Sequence, residues 1–372
     1  MVLLLFPFSQ LPAFAQFSLE KVKEFEINSL NQVNIVDFHP VKGLYLGYIT
    51  MGTDILEIAL IDEEGKIIRQ RNLRGDGPEK YNSTMNSLGF SDNGDIWILT
   101  VFELLQYDQN LNLKERIRFE PKVQVYLYGR ASTFAHFYKN GSNSGLHFVS
   151  HPSEASKFLG KKNFDNTYLL DVYNVTGKNY IGLAPVTKRP LFSKMEPSVF
   201  SGSAILFFLD RAKNLVYVTT SLDNEITVIN LANNQVVSRI PVRHGAFKSL
   251  TLKQIDFSNL SSHGRVTLEA KNHKLVKPGG DYLVLDYIRE IPFGTYEKKL
   301  ADDPYYHHFK DPDYHRMIVF DQNNQVSGDL RFPYGQLMIG MPDDSILIKL
   351  ENPETEEDFI RYGIFKIKKN GE

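Results

Sequence analysis

Short apolar runs broken by polar turns recur along this chain in a fixed order. A turn carrying Asp, Asn or Gly leads into a β-rich run. A second run ends on Asp or Asn, another polar turn follows, and a third run closes the unit. GFSDNGDIWILTVFELLQYDQNLNLKERIRF, Gly89 to Phe119, is the clearest copy, and Phe208 to Val242 repeats its order of parts. Asp, Asn and Gly tolerate positive φ and hydrogen-bond their own backbone, so they reverse the chain within a few residues and make each unit hairpin-built. Lys66-Ile67-Ile68-Arg69-Gln70 and Lys114 to Phe119 mix charged with apolar residues, as outer strands facing water do. Ile96-Trp97-Ile98-Leu99 and Tyr217-Val218 are continuously apolar, which suits strands covered on both faces.

Six such modules are legible, at about Val33 to Leu73, Leu88 to Phe119, Ala131 to Leu183, Ala204 to Val242, Asp281 to Phe332 with an interruption, and Gln336 to Lys369. In the third, Leu146-His147-Phe148-Val149 is predicted to pair with Tyr168 to Tyr173. No amphipathic helix of ten or more residues persists between them, which argues against a doubly wound or TIM architecture. The period predicts an all-β fold, a six-bladed β-propeller of four-stranded antiparallel sheets. Phe17 to Ile27 and Phe359 to Lys368 both alternate apolar and charged residues. The first is predicted to pair with the last module and close the ring, because an open ring would expose two sheet edges.

Composition narrows the classes. With 42% hydrophobic residues in 372 the chain can bury a large core, and 26 Phe with 19 Tyr supply filling for stacked sheets. A net charge of -2 without a Lys/Arg cluster removes the electrostatic footprint of a nucleic-acid binder. Met1 to Ala15 is apolar and uncharged and ends Ala13-Phe14-Ala15, the small-residue pattern that precedes signal cleavage. The expectation is therefore a signal peptide over 1–15 and one propeller domain over 16–372, exported to the periplasm or beyond, with no membrane-spanning segment once the signal is removed. The chain has no cysteine, which excludes thiol catalysis, cysteine zinc sites and lipid attachment through an N-terminal Cys.

Asn72-Leu73-Arg74-Gly75-Asp76-Gly77-Pro78-Glu79-Lys80-Tyr81 follows an outer strand. It resembles the G-x-G-P-x-x-F/Y connection between blades of secreted bacterial six-bladed propellers of the TolB and NHL kind, in particular a poorly characterised group of about this length. The modular pattern extends the resemblance over nearly the whole mature chain, although the short motif occurs convincingly once. The resemblance implies a binding or scaffolding propeller and carries over no catalytic residue.

The densest cluster of reactive side chains is Asp302 to His315, DDPYYHHFKDPDYH, inside the fifth module. Its carboxylates and imidazoles are ligand types for zinc, but their spacing matches no established metal motif. It reads instead as a recognition loop leaving the end of a blade, with Tyr305, Tyr306, His307, His308 and His315 as ligand-contacting candidates at least partly exposed near the channel mouth. Arg74-Gly75-Asp76 reads as a turn between blades rather than an adhesion tripeptide, and Asp92-Asn93-Gly94-Asp95 as a hairpin turn rather than a calcium loop. Ser261-Ser262-His263 and His244 lack a nucleophile elbow or paired carboxylates. The reading is an exported, non-catalytic propeller binding a peptide, glycan or protein partner without a cofactor. The alternative is a metal-assisted lyase or lactonase working in the channel.

Overall fold

Six sheets of four or five strands, antiparallel except where the short Ser132–Thr133 joins Met85–Phe90 in parallel, follow one another along the chain and form the ring of a six-bladed β-propeller in the computed structural model. It describes residues 17–370 apart from 52–53, 123–130, 140–144, 151–166, 190–203, 248–267, 322–323 and 356. Met1 to Ala15 and Ser261-Ser262-His263 therefore lie outside the described residues. In blades one, three, four and five the strands run from the central channel outward in chain order. Blade one stacks Gln32–His39, Leu44–Met51, Asp54–Asp62 and Ile67–Arg71. The third blade pairs Phe148 with Tyr173, as the sequence predicts.

The blades repeat because their turns repeat. In blades one to four the hairpin between third and fourth strands starts on an Asp or Asn whose side chain accepts backbone N–H groups. Asp62 Oδ1 takes Lys66 N at 2.8 Å, Asp108 Oδ1 takes Asn110 N at 2.8 Å, and Asn230 Oδ1 takes Ala232 N at 2.8 Å. These are Asx turns, which satisfy donors that a tight reversal would otherwise strand.

The core is divided into six apolar clusters, one between each pair of neighbouring blades. Continuously apolar strands are thus buried on both faces, each fully buried Leu, Ile or Phe contributing about 1.5–3 kcal/mol.

Ring closure is the expected one. Phe17–Ile27 is the outer strand of blade six and pairs antiparallel with Ile360–Lys369 from Phe17↔Lys369 to Ile27↔Ile360. Phe25 stacks between Tyr45 of blade one and Tyr362 of blade six at 5.1 and 5.5 Å. Tyr362 is fully buried and donates its hydroxyl to Val33 O of blade one at 2.7 Å. Gly65 is needed here: its φ is +89°, and a Cβ would meet Glu26 O at 2.3 Å.

The Asn72 to Tyr81 connection is a built turn. Gly75 and Gly77 take φ of 120° and 145°, Gly75 N and Tyr81 O bond at 2.9 Å, and Arg116 reaches Pro78 O and Lys80 O at 3.0 and 2.8 Å. Asp92 to Asp95 forms the expected hairpin turn, with Ser91 N donating to Asp95 O.

Two features depart from the sequence reading. Blade five begins earlier than expected, with Lys271–Val276 as its innermost strand. The interruption in that blade holds an α-helix, Phe293–Asp302, the one α-helix among the described residues. Pro292 sets its start, and Tyr296 and Leu300, four apart on one face, pack on the small cluster of Leu268, Ile291 and Tyr306.

Candidate functional site

In an antiparallel blade the hairpins joining first to second strand share one end of the sheet, and those joining second to third share the other. The insertion joins Tyr282–Ile288 to His315–Asp321, the second and third strands of blade five, so it leaves at the second end. It folds inward: Phe309 stacks on His273 of the innermost strand at 6.0 Å. Lys310 O accepts Gly335 N of blade six at 3.1 Å, and Lys310 pairs with Glu351 at 2.6 Å.

The base of the insertion is organised by Asp311. Its Oδ2 accepts from Tyr306 Oη at 2.7 Å and Lys299 Nζ at 2.8 Å, while Oδ1 accepts Asp313 N at 2.8 Å. Burial alone would raise the Asp311 carboxyl, but these donors hold it below its ordinary value. Burial pushes the Tyr306 phenol far up, and its bond to Asp311 adds to the effect.

Exposure divides the five candidate residues. Tyr305 is 86% exposed and His307 is exposed, whereas Tyr306, His308 and His315 are buried. The expectation that all five are at least partly exposed is therefore corrected for these three. The loop is polar in sequence, yet its carboxylate gathers Tyr306 and Lys299 inward, and His315 is already the first residue of a strand.

His315 belongs to a different grouping. It meets His273 and Asp286 in a cluster whose ligand atoms all lie within 4.8 Å of one another. Asp286 Oδ2 is 3.2 Å from His273 Nδ1 and 3.0 Å from His315 Nε2. Asp286 is fully buried; desolvation would raise its carboxyl, but the imidazoles of His315 and His273 hold it well below the usual carboxylate range. The loop's metal-ligand types thus do not assemble by themselves. Among the described residues one of them, His315, joins two strand residues. Sequence reasoning missed His273 and Asp286, although an aspartate inside the apolar run YLVLDYI was a usable signal, since an unpaired carboxylate is rarely buried.

A second polar grouping lies at the opposite end of the ring. Arg211, in the first hairpin of blade four, reaches past blade three to Asp92 of blade two at 2.6 Å and approaches His136 Nε2 at 3.1 Å. Burial, with Arg211 beside it, lowers His136 to about 3, so the imidazole is neutral and accepts from the guanidinium. These links tie hairpins together and leave no aligned nucleophile and base.

No family model and no curated protein matches the sequence. Solved structures do. A member of the DUF4221 family from Bacteroides vulgatus aligns with a TM-score of 0.70 at 12% identity, over 96% of this chain and 100% of that one. A Bacteroides fragilis protein described as a candidate exported protein aligns with a TM-score of 0.53 at 12% identity, over 96% of each chain. At such identity the likeness concerns the fold. Among the described residues no helix is long and apolar enough to cross a membrane.

Proposed function

We propose that this protein is an exported propeller that binds a peptide, glycan or protein partner through the end of the ring carrying the blade-five insertion. The observation that carries the reading is the build of that insertion: a base fixed by Asp311, Tyr306 and Lys299 beneath an exposed tip bearing Tyr305 and His307. A rigid base with a wet aromatic tip loses little conformational entropy on binding, and a tyrosine offers a large stacking face with one polar end. Tyr305 and His307 make first contact; Tyr306, His308 and His315 act from beneath, holding the loop. Export is supported by the Met1 to Ala15 pattern and by the description of the Bacteroides fragilis structure. The resemblance of Asn72 to Tyr81 to TolB and NHL connections supports the same binding role.

Arrays of glycans and of peptides, probed with the wild type and with a Tyr305→Ala/His307→Ala double variant, test this. A ligand retained by the wild type and lost by the double variant, at unchanged melting temperature, supports the reading. Equal retention by both, or turnover of an ester or lactone without a retained ligand, contradicts it.

A further inference from the structure

The geometry points to a divalent transition-metal site in blade five, formed by His273, Asp286 and His315, with a coordination position left open toward the channel. This goes beyond partner binding at the insertion tip and stands or falls separately from it. The three residues come from three adjacent strands: the innermost, Lys271–Val276, then Tyr282–Ile288, then His315–Asp321. His273 sits at a register shift, between Asn272↔Tyr287 and Lys274↔Asp286, where a bulge re-aims a side chain.

Hydrogen bonding alone leaves this cluster incomplete. Asp286 Oδ2 accepts from His273, but the buried Oδ1 has no hydrogen-bond partner among the described residues. His315 is fully buried, and among the described residues neither ring nitrogen makes an aligned hydrogen bond although Nε2 lies only 3.0 Å from Asp286 Oδ2. Two groups so close without a shared proton axis are placed as ligands of a common centre are placed. Metal–nitrogen and metal–oxygen bonds of about 2.0–2.2 Å set neighbouring ligand atoms about 3.3 Å apart in a tetrahedral site. The observed 3.0 and 3.2 Å edges from Asp286 fit that spacing, and the third edge, between the two imidazoles and within 4.8 Å, closes to it on a rotation of the partly exposed His273 ring.

The donor set selects the class of ion. Two imidazoles and one carboxylate suit zinc, iron(II) or cobalt(II), whereas calcium and magnesium require oxygen donors. The surroundings suit a resident ion as well. Phe332 packs on the His315 ring at 4.2 Å and Phe309 on His273, an apolar shell that fixes both rings. The His273 side chain keeps 21% exposure, so solvent reaches the edge of the cluster on that side. A bound cation would also offset the desolvation of the fully buried Asp286.

The full chain, stripped with a chelator and titrated with zinc by calorimetry and with cobalt(II) by visible absorption, tests the assignment. One equivalent should bind, with a cobalt ligand-field spectrum of nitrogen and oxygen coordination. His273→Gln, at the partly exposed position, and Asp286→Asn should each weaken binding by at least the 10–100-fold seen for outer-shell changes. Asp281→Asn, an exposed carboxylate in the first hairpin of the same blade and outside the cluster, should bind as the wild type does. His273→Gln keeps the test decisive should Asp286→Asn fail to fold. No stoichiometric binding, or binding equally strong in His273→Gln, would overturn the assignment and leave a water-bridged His-Asp-His network.

Discussion

Truncating Phe25 to alanine tests the ring closure at its most concentrated point. The Phe25 ring lies between Tyr45 and Tyr362, 5% exposed, on a strand whose middle faces water. Phe→Ala changes in a core cost about 3–5 kcal/mol, and the two ring contacts put this site toward the upper end. Unfolding entropy of about 2.1 cal/mol/K per residue over the roughly 290 described residues is about 0.6 kcal/mol/K, so a loss of about 4 kcal/mol lowers Tm by roughly 7 °C. Val22 lies on the same strand at 52% exposure, and Val22→Ala should change stability by less than about 0.5 kcal/mol. Thermal melts followed by circular dichroism compare the two variants. Deleting residues 16–27 should lower Tm further, since it also removes Phe17, Ile27 and the pairing edge. If Phe25→Ala melts with Val22→Ala, the seam is not held by this strand and the closure reasoning fails.

Lys349 is 6% exposed, its ammonium bonded to Gln32 and Val33, and burial lowers its pKa from 10.5 to about 8. The folded chain then binds fewer protons than the unfolded chain between pH 8 and 10.5, so this group makes stability rise with pH across that window. Lys349→Met should therefore stabilise at pH 7 by up to about 3 kcal/mol, the gain shrinking above pH 8, because Val33 O keeps Tyr362 as donor; a destabilised variant at pH 7 would contradict this. Tyr305→Ala should leave stability within about 0.5 kcal/mol of wild type, while Tyr306→Ala should cost about 3 kcal/mol, and equal denaturation midpoints would show the division between tip and base to be wrong. Arg189, 2% exposed, pairs with buried Asp223 at 2.7 Å. Arg189→Met should cost about 3–5 kcal/mol by stranding that charge, and adding Asp223→Leu should recover much of it; no recovery would mean that packing, not charge, dominates.

The hairpins and the closing strand were legible because local chemistry fixes them: Asp62, Asp108 and Asn230 cap their own turns, and Phe17–Ile27 alternates with one face buried at its ends. Lys271–Val276 was not, since KNHKLV follows a long link and owes its strand to pairing with Tyr282–Ile288. The burial of Tyr306 was hidden for a similar reason. Its position depends on Asp311 and Lys299, joined to it by folding rather than by any period. The His273, Asp286 and His315 cluster draws on three strands and spans 43 positions in sequence, which no spacing motif reports.

Placing a photoreactive phenylalanine analogue at Tyr305, and separately at Val237, tests the binding reading most directly. Val237 is 53% exposed on the outer strand of blade four, away from the insertion. After irradiation of cells exporting each variant, the account expects discrete adducts from position 305 that are lost when His307→Ala is added, and none from position 237. Equal labelling from both positions, or none from 305, would contradict recognition at the blade-five end of the ring.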